Sequence, residues 1–199
     1  MASREEIKII VDYALKDQHN LEIALKIGIA FDEIRKRIIT DFLDALENAL
    51  RGSLDNEKWT ILDNLKEIVL KEGIWSSKNK GCYITKKEWQ STCLIGIESD
   101  TNGVRNFFIS VRKNQKEILE PTESENLKNL LDYEYKKGSS GRQWLYYRYF
   151  DGIYRDWNNE EILIDMIFKK DETVSYFKEP ILTIAKIVTP LIDKAVKSS

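Results

Sequence analysis

TCLIGIESDTNGVRNFFISVRK, residues 92 to 113, decides the fold. Its two halves, Thr92 to Ser99 and Asn106 to Lys113, alternate with the period of two expected of half-buried strands, around a turn containing Asn102-Gly103. A two-residue Asn-Gly turn would set Ile97 opposite Phe108 and mix the apolar face of one strand with the polar face of the other. A three-residue loop, Thr101-Asn102-Gly103 with Gly103 left-handed at a bulge, instead pairs Cys93 with Val111, Ile95 with Ile109 and Ile97 with Phe107. One face is then continuously apolar. The other places Leu94, Gly96 and Glu98 across from Ser110, Phe108 and Asn106, with Phe108 lying over Gly96.

Two further strands are expected beside this hairpin, from Cys82 to Glu88 and from Trp144 to Asp151. In the second, QWLYYRYFDG, strict alternation puts Trp144, Tyr146, Arg148 and Phe150 on one side and Leu145, Tyr147 and Tyr149 on the other. A strand covered on both faces is one reading, because aromatics suit pleated, buried surfaces. A platform for stacking a base, a nucleotide or a peptide side chain is the other. In that case the candidate binding residues are the exposed members of Trp144, Tyr146, Tyr147, Arg148 and Tyr149, together with Arg112 or Arg142.

Helical periodicity surrounds the sheet. Ser3 and Glu6 form a capping box for a first helix ending near Lys16, and Asn20 is expected to cap a long second helix whose apolar stripe runs from Leu21 to Leu50, up to Gly52. That stripe is longer than a compact domain needs, so part of it is expected to face a partner, most simply a second copy through the N-terminal helices. Phe31 and Ile38 are its test positions. Further helices are read over Glu57 to Lys71, Glu123 to Lys137 and Asn158 to Lys169. The last keeps a helical period from Val174 to Val196 through Pro180 and Pro190, where a kink or restart is expected.

The composition is 42% hydrophobic and 32% charged, with a net charge of −2. No apolar run is long enough to span a membrane and no basic-then-apolar leader is present, so a soluble, cytoplasmic protein is expected. A strongly basic nucleic-acid binder is disfavoured, although a local Arg/Lys patch is not. Cys82 and Cys93 fit neither a CxxC metal site nor a disulfide framework and are expected as free thiols. His19, the only histidine, sits in an interhelical stretch and suits a surface or capping role. GxGxxG, GxxxxGK[ST], HExxH and GxSxG motifs are all missing, and no cofactor or resident metal is expected.

REEIKIIVDYALKDQHNLEIALKIGIAFDEIRKRIITDFLDALENAL, SSGRQWLYYRYF and the closing helices together resemble the region that follows the nuclease core in a bacterial and phage family of PD-(D/E)XK-type restriction-like proteins. The resemblance implies a phage-defence or DNA-processing context and a catalytic domain outside this stretch. Such nucleases need an acidic residue on one strand and acidic-x-Lys on the next to hold Mg²⁺. Here Glu98 and Asp100 face a strand reading Ile109-Ser110-Val111-Arg112-Lys113, with Ser110 where a ligand is required, so no catalytic residue carries over.

The expected fold is α+β, with a three- or four-stranded antiparallel sheet packed against N- and C-terminal helices. Residues 1–72 form a helical region and 73–199 the sheet with the closing helices, co-folded as one unit. The leading expectation is a non-catalytic recognition or regulatory domain of a nuclease-associated protein, with a nucleic acid or a protein as partner. The rivals are a metal-dependent nuclease with an atypical site and a helix-mediated oligomerisation module.

Overall fold

Five strands form one antiparallel meander in the order β1-β2-β3-β4-β5: Trp59–Asp63 (β1), Gly81–Lys86 (β2), Cys93–Thr101 (β3), Arg105–Lys113 (β4) and Trp144–Tyr149 (β5). The computed structural model describes residues 4–89, 92–113 and 119–197. The class is α+β, as the sequence indicates, but the sheet has one strand more than expected. That strand, β1, falls within the helix expected over Glu57 to Lys71. Trp59, Leu62, Leu65, Ile68 and Val69 fit a helical period, yet Trp59 to Asp63 pairs with β2 and only Asn64–Glu72 (α3) is helical. Five residues are too few for periodicity to separate the two states.

Asp63 joins these elements. It ends β1, and its Oδ1 caps α3 by accepting from the Lys66 backbone N–H at 2.8 Å, while Oδ2 is buried without a partner. Burial pushes its carboxyl up to about 6, against the opposing hydrogen bond from Lys66. A raised folded-state pKa favours the folded state while the group is protonated, a contribution lost as pH rises through about 6. Asn is an equally good cap. Asp63→Asn is therefore expected to gain about 1 to 2 kcal/mol at neutral pH, a gain that fades toward pH 4. Urea unfolding at the two pH values checks it, and an equal effect at both would refute the linkage.

The β3–β4 register differs from expectation by two residues. Ile95 pairs with Val111, Ile97 with Ile109 and Glu98 with Phe108, around the loop Asn102-Gly103-Val104. The two-residue shift keeps each side chain on its predicted face. Gly103 and Val104 both have positive φ, +79° and +54°. A β-branched residue resists that conformation, so distant contacts must hold it. Val104 is fully buried, its N–H donates to Ser77 Oγ at 2.7 Å, its carbonyl accepts from Trp157 N, and Gly103 N–H donates to Ile74 O. Phe108 accordingly lies across from Glu98, and Gly96 across from Ser110.

β5 also departs from simple alternation. Arg112 pairs with Trp144 but Val111 pairs with Tyr146, so Leu145 is bulged. The bulge moves Trp144 to the side of Tyr147 and Tyr149. The outer edge of β5 is covered by reciprocal backbone hydrogen bonds between Ser139 and Tyr147.

Helices pack on one face of the sheet. The core joins Ile84, Ile95, Ile97, Phe107, Ile109, Val111 and Tyr146 to Leu43 and Leu46 of Gln18–Ser53 (α2), Leu127 and Leu131 of Pro121–Glu134 (α4), Ile162 and Met166 of Glu160–Phe168 (α5), and Phe177, Ile184 and Val188 of Lys170–Lys197 (α6). Trp157 stacks on Phe107 with centroids 3.8 Å apart. α6 runs as one helix through Pro180 and Pro190 rather than restarting. Its eight buried positions offset the backbone bonds the prolines remove. α2 begins at Gln18, capped by Asp17 rather than Asn20, and His19 lies exposed in its first turn. Arg4–Ala14 (α1) precedes it; Ser3, the expected cap, lies outside the described residues. Cys82 and Cys93 are buried free thiols. No described helix is long and apolar enough to cross a membrane.

Candidate binding face

The sheet face opposite the helices carries the candidate site. Alternation on β3 and β4 places Glu98, Ser110 and Arg112 side by side there, and the β5 bulge adds Trp144. Glu98 is fully buried. Its Oε1 accepts from Ser110 Oγ at 2.6 Å and from Trp144 Nε1 at 3.0 Å, and its Oε2 accepts from Arg112 Nη1 at 3.0 Å. The same Nη1 lies 3.3 Å from the Tyr83 hydroxyl. Burial alone would lower the Arg112 pKa, but Glu98 and Tyr83 outweigh it and the net shift is upward. Burial also pushes the Tyr83 hydroxyl well up.

Aromatic rings cover this network. Phe108 makes edge contacts to Trp144, Tyr147 and Tyr149 at centroid distances of 5.8, 5.7 and 5.6 Å. Phe108 is buried beneath the other three, which are half-buried. Tyr149 donates to Asp100 Oδ2 at 2.8 Å, and the Arg155 guanidinium lies 4.3 Å from its ring centroid. Burial, then the Asp100 hydrogen bond, pushes the Tyr149 hydroxyl up to about 12. Beside Trp144 opens a groove of about 440 Å³ lined by Lys113, Ser124, Lys128 and Ser140.

Of the residues singled out in the sequence, Arg112, Trp144, Tyr147 and Tyr149 come together on this face. Tyr146 does not. It is fully buried on the helical side and donates its hydroxyl proton to Lys136 O at 2.6 Å. Arg148 also points to that side, where its Nη2 donates to Asp151 at 2.8 Å, beside a groove of about 490 Å³ between β5 and α6. Arg142 is exposed in the loop before β5. Tyr83 and Arg155 also belong to this face but are not among the candidate binding residues of the sequence. Tyr83 carried a signal in its strand alternation, whereas Arg155 lies on a short turn after β5 that no period locates.

The carboxylates do not form a metal site. Glu98 already accepts from a guanidinium, a hydroxyl and an indole, and Asp100 from a phenol, which leaves neither disposed toward a shared cation. No metal-binding group of three or more His, Cys, Asp or Glu occurs among the described residues. Compared with family models, curated proteins and solved structures, the chain matches none.

Proposed function

We propose that this chain is a non-catalytic recognition domain that stacks bases of a single-stranded nucleic acid on Trp144, Tyr147 and Tyr149, as a recognition or regulatory part of a nuclease-associated assembly of the kind its restriction-like resemblance implies. One observation carries the reading: the helices pack on one sheet face, while the other presents an aromatic cluster bordered by Arg155. Sheets that read single strands use this arrangement, because every base has a π-face and nearby cations meet the backbone. Lys113 lines the groove beside Trp144 together with Glu125 and with Lys128, which is paired with Asp132, so this groove adds little net charge. The domain is acidic overall, so binding rests on these few local contacts and weakens with salt.

The test is fluorescence anisotropy with a labelled oligothymidylate of ~15 nucleotides, within the span of small single-strand sites. Tyr147→Ala is expected to weaken binding by roughly 5- to 100-fold, the loss of one stacked base. Arg155→Ala should flatten the salt dependence. An affinity unchanged by Tyr147→Ala, or no binding by the parent protein at low salt, would sink the reading.

A further inference from the structure

We infer that the hairpin of α1 and the first half of α2 is a self-association element that closes into a four-helix bundle with the same hairpin of a second copy. No residue between Arg4 and Ile34 is buried, whereas α2 supplies core residues only from Arg35 onward. Thirteen of the nineteen exposed large apolar side chains among the described residues lie in this segment, from Ile7 at 51% exposure to Ile29 at 85%. A helix of 11 residues with nothing buried is not stable in water by itself. Between Leu21 and Phe31 only Glu22 and Lys26 are charged, so these three turns are apolar around most of their circumference. Such a helix is normally enclosed, and α1 covers only one strip of it.

The area fits a second copy. Thirteen side chains at these exposures present on the order of 1,000 Å², above the ~300 to 600 Å² of the largest patch on a typical monomer and near the ~800 Å² per partner of a stable interface. Two helical hairpins related by a two-fold axis bury such surfaces against each other as an antiparallel bundle. Charge argues against a lipid surface, since the segment holds four basic residues against seven acidic ones. Gly28 points the same way. A Cβ there would meet nothing within 4 Å, so the single chain gives no reason for an unfavourable mid-helix glycine, while close approach of a partner helix does.

Sedimentation equilibrium of the full chain tests this. The parent protein is expected as a dimer at ~100 µM, where an interface with a Kd of ~10 µM is mostly associated. Ile29→Glu and Gly28→Leu, both at positions open to solvent in the single chain, are each expected to weaken association at least tenfold. Both should leave the near-ultraviolet circular dichroism of the sheet domain unchanged. A monomeric parent at that concentration, a parent that associates only with lipid vesicles, or an Ile29→Glu variant that dimerises like the parent would overturn the inference. Because the hairpin lies outside the aromatic face, loss of oligonucleotide binding does not bear on it.

Discussion

Arg112→Ala is expected to cost about 3 to 5 kcal/mol of stability, among the largest effects of any single substitution in this chain. Glu98 is fully buried and Arg112 supplies its cation among the described residues, so truncation strands a carboxylate beneath Trp144 with two neutral hydrogen bonds. Tyr83 loses its guanidinium contact at the same time. The double variant Glu98→Gln with Arg112→Met removes both charges and is expected to recover most of the loss, because a buried pair contributes little beyond what an apolar replacement of similar volume provides. Urea unfolding of the two variants decides the point. A loss of less than about 1 kcal/mol in the single variant would refute the ion pair as what holds Glu98.

Gly96→Ala is expected to cost about 3 kcal/mol, the upper end of over-packing penalties. A Cβ at this position would sit 2.1 Å from the Cys82 carbonyl oxygen and 2.7 Å from the Tyr83 Cα, both backbone atoms of the neighbouring strand. No rotamer change relieves such a clash, so β2 and β3 must move apart in the middle of the sheet. Serine should be at least as damaging. Thermal melting of Gly96→Ala with a parent-like transition would show that the strands tolerate separation. Ala at Gly52, where nothing lies within 4 Å, provides the control for glycine replacement as such.

The hairpin was legible in the sequence because residues 92 to 113 alternate cleanly, and two-residue periodicity fixed which side chains share a face even though the turn was placed one residue early. The turn itself was not legible. Its geometry is held by Ser77, Ile74 and Trp157, which are remote in sequence, and nothing local announces that Val104 will accept a positive φ. β1 was hidden because its five residues run without a break into the apolar period of α3. Aromatic content pointed to β5 as a candidate surface, but the bulge at Leu145 decided which rings share a face. Trp144 joined the site, and Tyr146 and Arg148 were lost to the helical side. The Glu98, Ser110 and Arg112 network was partly readable as polar residues recurring on one face of two adjacent strands.

The meander has a consequence for the order of folding. Each strand pairs with its sequence neighbour, so the sheet can grow outward from the β3–β4 hairpin without any crossover, by closures that cost little loop entropy. The helix that shields the middle of its apolar face, α6, follows all five strands along the chain. During synthesis, Ile95, Ile97 and Ile109 therefore wait uncovered until that helix emerges, and the nascent sheet must be kept from pairing with other chains in that interval.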